Sequence, residues 1–279
     1  MFDYSGNCTV WITGASSGLG RFTAEAFKQA GYRVISGARS FKEPEEDTPS
    51  GIRRHLDVTD PDSVADFVRE AQAAVGAPDI LICCAGILNL GACEYYTADE
   101  MKKVLDTNFL GQVRMIQAVL PLMRARGHGR IVCFSSINGV LGIPYQGIYT
   151  ASKHALEGFC ESLAAEVRPF GIEILLVEPG DHRGGSDAYR AHGEGMNGNN
   201  PYIKPYQRTV ESIRHDEEHG SDPKKLGEKL VKTVRKKHLP LRKCIASPLQ
   251  HAAVFLHRVM ISAHFNRLIA LFYSAHKID

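Results

Sequence analysis

At 279 residues, the chain is long enough to bury a parallel sheet under helices on both faces. Its 33 basic and 31 acidic side chains nearly cancel, which excludes the basic footprint of a nucleic-acid binder. The seven cysteines include no C-x-x-C, and several sit in apolar runs such as ILICCAG, so a reducing compartment is expected rather than a disulfide framework. No basic and apolar leader precedes the first strand, and no run reaches the roughly 18 apolar residues of a membrane span, so the expectation is a soluble cytoplasmic protein.

Short apolar runs predict strands at 9–13, 33–38, 52–56, 80–85, 130–135, 172–178 and 242–247. Between them, helical periodicity covers 19–30, 61–75, 98–126 and 148–169, and a further amphipathic helix is expected at 222–237. Continuous apolar strands alternating with helices predict an α/β fold: a Rossmann-like, doubly wound parallel sheet of about seven strands, helices on both faces. The Pro- and charge-rich connection 39–51 reads as a loop. Residues 184–221 carry Gly, Asn, His and Pro with little periodicity and read as a substrate lid. The tail 248–279 reads as a helical extension of a single domain spanning 1–279. Its apolar stripe (Leu249, Val254, Phe255, Val259, Phe265, Leu268, Leu271, Phe272) is expected to pack in the core or between subunits, in preference to a membrane surface.

The segment ITGASSGLG (12–20) follows a strand and opens a helix, the context in which a Gly-rich turn presents free N–H groups to a phosphate. Gly14 makes the turn, Gly18 admits a pyrophosphate to the backbone, and Gly20 lets helix and strand pack closely; a Gly-rich turn with no ligand is the plain alternative. Further along, Tyr149 and Lys153 stand four apart at a helix start, one above the other on one face. An ammonium beside a phenol lowers the phenol pKa from about 10; a shift of two to three units is worth about 3–4 kcal/mol. Ser136 lies thirteen residues before Tyr149. Ser135 is its rival for placing a hydroxyl beside a reacting oxygen. Asn108 falls inside a long helix, where it either bends the helix or caps a turn.

Together the G-x-x-x-G-x-G turn, CCAG (83–86), NFLG (108–111), Ser136 ahead of YTASK (149–153) and PG (179–180) resemble the short-chain dehydrogenase/reductase family over about 9–180. The C-terminal third is similar in outline to its hydroxysteroid and retinol dehydrogenase branch. The resemblance implies a dinucleotide held by Gly14, Ser16, Ser17, Gly18, Leu19, Gly20, Asp57, Val58, Ala85, Gly86, Asn108, Tyr149, Lys153, Pro179 and Gly180. It implies catalysis by Asn108, Ser136, Tyr149 and Lys153, with no metal. Where an acidic residue would select NAD stands Ala38, followed by Arg39 and Ser40, so NADP(H) is expected over NAD(H). Cys83 and Cys84 replace the family's asparagines, and Gly184 stands where a nicotinamide-contacting Thr is common, with Ser186 as a substitute hydroxyl. His154 reads as structural.

The implied activity interconverts a secondary alcohol and a ketone on a bulky apolar substrate, a steroid foremost, in a homodimer or homotetramer. The alternatives are a 3-oxoacyl-thioester or polyketide ketoreductase, and a non-catalytic dinucleotide sensor.

Overall fold

The computed structural model describes residues 3–4, 8–42, 45–48, 51–184, 190–197, 200–260 and 262–275. Strand β1 (Thr9–Thr13) is followed by helix α1 (Gly18–Gln29), strands β2 (Arg33–Ala38), β3 (Glu45–Thr48) and β4 (Gly51–His55), and helix α2 (Pro61–Val75). Strands β5 (Ile80–Cys83) and β6 (Leu88–Leu90) lead to helix α3 (Ala98–Leu105), a π-helical turn at Asp106–Leu110 and helix α4 (Gly111–Arg126). Strand β7 (Gly129–Phe134), helix α5 (Gly147–Val167) and strands β8 (Ile172–Pro179) and β9 (Arg190–His192) come next. The remainder is helical except for one strand: α6 (Ile203–Glu218), α7 (Pro223–Val234), β10 (Arg242–Ile245), α8 (Pro248–Val259) and α9 (Ser262–Ala275).

The main sheet runs β10-β8-β7-β5-β1-β2-β4-β3, with seven parallel strands and β3 antiparallel at one edge. Successive residues of β1 face opposite ways, so each side of the sheet receives its own core. Trp11 joins Val64, Phe67, Met115, Ile116 and Leu156 beneath α2, α4 and α5. Val10 and Ile12 join Phe27, Leu226 and Leu230 beneath α1 and α7. Such two-sided burial is why the strands read as continuous apolar runs rather than alternating ones.

Local chemistry fixes the element ends. Asp60 caps α2 by accepting from the Asp62 N–H, with Pro61 at the first helical position, and Gly76 closes the helix at φ 79°. Thr97 and Glu100 form a reciprocal capping box at α3.

Two expectations need correction and a third is narrowed. The connection 39–51 holds the edge strand β3, paired to β4 through Thr48 and Gly51; its Glu45, Glu46 and Asp47 give no apolar signal, and charge suits a sheet edge. The segment 184–221 contains the sixteen-residue helix α6, whose buried Tyr206, Val210 and Ile213 recur at helical spacing, and β9, which pairs with β6 in a small second sheet. In the tail, Val254 and Phe265 are buried but Leu249, Phe255, Val259, Leu268, Leu271 and Phe272 are exposed, so most of the stripe lies outside this chain's core. Among the described residues, no helix is long and apolar enough to cross a membrane.

Candidate active site

Strand order reverses between β1 and β5, where Thr13 is paired with Cys83, and a crevice opens at their carboxyl ends. Gly14 turns there at φ 68°; a Cβ on it would stand 2.7 Å from Ala85 Cα, so no side chain fits. A Cβ on Gly20 would stand 2.2 Å from the Gly14 carbonyl oxygen, which is the close helix–turn packing expected of the third glycine. The Thr13 hydroxyl accepts from the Cys84 and Ala85 N–H groups, both at 3.1 Å. A threonine at the end of β1 thus stitches the two loops together.

A cavity of about 380 Å³ runs from this turn past the ends of β2, β4, β5, β7 and β8. Its wall includes Gly14, Ser16, Ser17, Gly18, Leu19 and Gly20, then Arg39, Ser40, Asp57, Val58, Ala85 and Gly86. Ser136, Tyr149, Lys153, Pro179 and Gly180 complete the residues that the sequence brings forward. A dinucleotide fits this wall: Ser17, the N-cap of α1, makes no side-chain capping bond, so first-turn N–H groups and the positive end of the helix dipole remain for a phosphate. Asp57 also organises its own turn, accepting from the Thr59 N–H at 2.9 Å and its hydroxyl at 2.7 Å. Burial works against the Asp57 charge, but the Thr59 bonds and the Arg39 guanidinium outweigh it and hold the carboxyl below its ordinary value.

Asn108 does not line the cavity. It is fully buried in the π-helical turn, where its Oδ1 accepts from the Ile87 N–H at 2.8 Å. Its Nδ2 donates to the Ile87 carbonyl at 2.9 Å and to the Ser152 hydroxyl at 3.1 Å. The bend, not the cap, is therefore its place in the helix. One side chain clamps the loop after β5 to the start of α5.

Tyr149 and Lys153 share a face of α5, and the ammonium's hydrogen bond goes to a backbone carbonyl. Lys153 Nζ sits 5.6 Å from the Tyr149 ring centroid and donates to the Phe134 carbonyl at 2.7 Å. Burial pushes the Tyr149 phenol up to about 12, with the neighbouring Ser136 hydroxyl opposing the rise. Burial pushes Lys153 down to about 8. The expected lowering of the phenol is thus absent in the protein by itself: desolvation outweighs a lysine tethered to a backbone carbonyl. Ser136 rather than Ser135 is the serine beside Tyr149; the Ser135 hydroxyl is buried without a hydrogen-bond partner.

Cys84 is pushed up to about 12 by burial and stays a neutral, packed thiol. His154 is exposed, with its ring against the Thr150 carbonyl, away from the cavity. Ser186 lies outside the described residues.

Several residues of the site went unseen in the sequence: Thr13 behind the turn, and Asp181, Ile213, Asp216, Glu217, Gln250 and Tyr273 in the cavity wall. Gln250 had a signal, because Ser-Pro-Leu-Gln (247–250) before an apolar run is a capping box. The Gln250 side chain also accepts from the Asp181 N–H and donates to the Asp181 carboxylate, tying α8 to the loop after β8. A Cβ on Gly180 would collide with it at 2.0 Å.

The strand order, the Gly-rich turn and the phenol–lysine pair define a dinucleotide-dependent oxidoreductase. The short chain dehydrogenase model matches residues 8–192, and the chain belongs to that family, whose members use NAD(P) to act on CH–OH groups. It is 41% identical over 233 residues to a 3-ketodihydrosphingosine reductase of Bacteroides thetaiotaomicron, covering 84% of this chain and 86% of that protein. It is 40% identical over 188 residues to human 17-beta-hydroxysteroid dehydrogenase type 1, covering 61% of this chain and 56% of that one. A short-chain dehydrogenase structure from Streptomyces avermitilis superposes with a TM-score of 0.82 at 30% identity, covering 96% of this chain and 99% of that chain.

Replacing Asn108 by Ala leaves the partly buried Ile87 N–H and carbonyl without their partner. It is expected to lower unfolding free energy by about 2–4 kcal/mol, read from chemical denaturation.

Proposed function

We propose that this protein is an NADP(H)-dependent reductase of a long-chain 2-amino ketone of the 3-ketodihydrosphingosine type. The observation that carries this reading is the charge around the cavity. Asp181, Asp216 and Glu217 line it together with Tyr149, and the charges of Glu217 and Asp181 help to raise the Tyr149 phenol. Glu217 is paired with Arg190. Burial first, then the charges of Asp216 and Glu217, push Asp181 up to about 6. An ammonium one carbon from the ketone relieves that repulsion, whereas the hydrocarbon skeleton of a steroid gives these carboxyls nothing to bind. The bacterial 3-ketodihydrosphingosine reductase, matched over most of both chains, supports the same choice. A hydroxysteroid, foremost in the sequence analysis, remains the second reading, favoured by the similarity to the human dehydrogenase.

In this reading, the bound cofactor supplies the hydride. Tyr149 donates the proton to the ketone oxygen, and Ser136 holds that oxygen beside the phenol. A phenol pushed up to about 12 is fully protonated at neutral pH, the state a general acid in ketone reduction requires. Lys153 holds positive charge beside the ring, and Asn108 positions the turn and the helix that carry Tyr149 and Lys153. Arg39, with Ser16 and Ser40 on the same wall and no carboxylate at Ala38, suits the 2′-phosphate of NADP(H).

The deciding experiment compares kcat/KM for 3-ketodihydrosphingosine and estrone with NADPH. The amino ketone should be preferred, and Asp181→Asn should cost it about 10–100-fold while sparing ketones without an amine. Equal or better turnover of estrone sinks the amino-ketone assignment. Tyr149→Phe should lower kcat for the best substrate about 10²–10⁴-fold. Reduction by the wild type should decline as pH rises through about 8, where Lys153 loses its proton, read from kcat/KM for NADPH, which reports the free enzyme. Arg39→Ala should reduce kcat/KM for NADPH about 10–100-fold and leave NADH little changed, measured by initial rates with each cofactor.

A further inference from the structure

Among the described residues, seven of the ten exposed large apolar side chains fall between 249 and 272: Leu249, Phe255, Leu256, Val259, Leu268, Leu271 and Phe272. Their arrangement follows the helices that carry them. At 100° per residue, Leu249, Ala252, Phe255, Leu256 and Val259 occupy one arc of about 120° on α8. All five are exposed, while Val254 on the other side is buried at 5%. On α9, Leu268, Leu271 and Phe272 share the exposed face with His264 and Arg267, and Phe265 is buried at 2%. Val254 and Phe265 belong to one apolar cluster, so the two helices rest on the protein by one side and turn an apolar side outward.

The charges carried by α8 and α9 themselves have one sign. Residues 248–275 contain no Asp or Glu; they contain Arg258 and Arg267, both exposed, and three histidines. Arg258 reaches toward Glu178 at 3.9 Å and is still half-exposed. Apolar side chains that share their own two helices only with cationic and neutral groups match the interface of an anionic bilayer: acyl chains take the Phe and Leu side chains, and headgroup phosphates take the arginines. With 12 and 14 residues, α8 and α9 are too short to span hydrocarbon, which needs about 20 residues, so they would lie in the interface. The same two helices reach the active-site cavity, since Gln250 of α8 and Tyr273 of α9 line it.

We infer that α8 and α9 form a monotopic docking surface for an anionic phospholipid bilayer, placed where the membrane and the cavity share the same pair of helices. The surface stands on its own chemistry and not on the identity of the substrate. Six of the eight stripe residues are exposed, so the chain's own core does not cover them.

The test is co-sedimentation of the full chain with phosphatidylglycerol/phosphatidylcholine vesicles, with phosphatidylcholine alone as the comparison. The wild type should sediment with the anionic vesicles at low salt and less so at high salt. Phe255→Glu with Leu268→Glu should weaken the partition by at least about tenfold, with an unchanged thermal melt showing that the fold is intact. Arg267→Glu should weaken anionic vesicle binding several-fold and leave the weak phosphatidylcholine binding as it was. A wild type that does not sediment, or a double Glu variant that folds and sediments as before, overturns the proposal. So does a vesicle-free gel filtration in which the wild type is an oligomer that the double variant splits while neither form binds vesicles, which would give the surface to a second copy of the chain.

Discussion

The functional end of this fold rests on one close approach, the backbone of Gly14 against Ala85 at the point where strand order reverses. A Cβ there would stand 2.7 Å from Ala85 Cα, so the turn after β1 and the loop after β5 can touch only because Gly14 has none. The Thr13 hydroxyl then closes the contact by taking two N–H groups of the facing loop. That loop continues through Gly86 to Ile87, whose backbone is held on both its polar groups by Asn108. Asn108 in turn bonds Ser152, within the turn of α5 that carries Tyr149 and Lys153. A chain of contacts therefore leads from the Gly-rich turn to the phenol, and every link is a backbone group or a short, fully buried side chain. Such links have few rotamers to lose, which suits a site whose parts come from four separate elements.

Burial is the second constraint, and it acts oppositely on the two titrating groups. It raises Tyr149 to about 12 and lowers Lys153 to about 8, so both move toward their neutral forms. The Lys153 ammonium is tethered to the Phe134 carbonyl, 5.6 Å from the centre of the Tyr149 ring. A pair set this way holds its proton on the tyrosine. At neutral pH the phenol therefore carries its proton.

Most of the fold was legible because a doubly buried parallel sheet writes itself as apolar runs separated by helical periodicity, and the central parallel strands β1, β2, β5, β7 and β8 follow that pattern. The motif residues were legible for another reason: turns that need glycine and helices that carry a phenol and an amine at one-turn spacing leave few alternatives. What escaped notice lacks those signatures. β3 is a run of acids at a sheet edge, and α6 hides Tyr206, Val210 and Ile213 among charges and a proline. Asp181, Asp216, Glu217 and Tyr273 come together only because α6, α9 and the loop after β8 converge, and no local spacing records that. The direction of the tyrosine shift was also out of reach, because it depends on how deeply the phenol is buried and where the lysine tip is tied.

The tail carries the same lesson in reverse. Its apolar stripe was visible in the sequence, but a stripe says only that something covers it. On α8 the helical repeat sends Gln250 and Val254 to one side and Leu249, Phe255, Leu256 and Val259 to the other, so no rotation of the helix buries all of them. The capping box at Ser247 and Gln250 and the Gln250 bonds to Asp181 choose which side faces in. Gln250 thereby fixes two things at once. It sets the position of a carboxylate inside the cavity and the orientation of the apolar face outside it, so the chemistry of the pocket and the surface that α8 presents cannot vary independently.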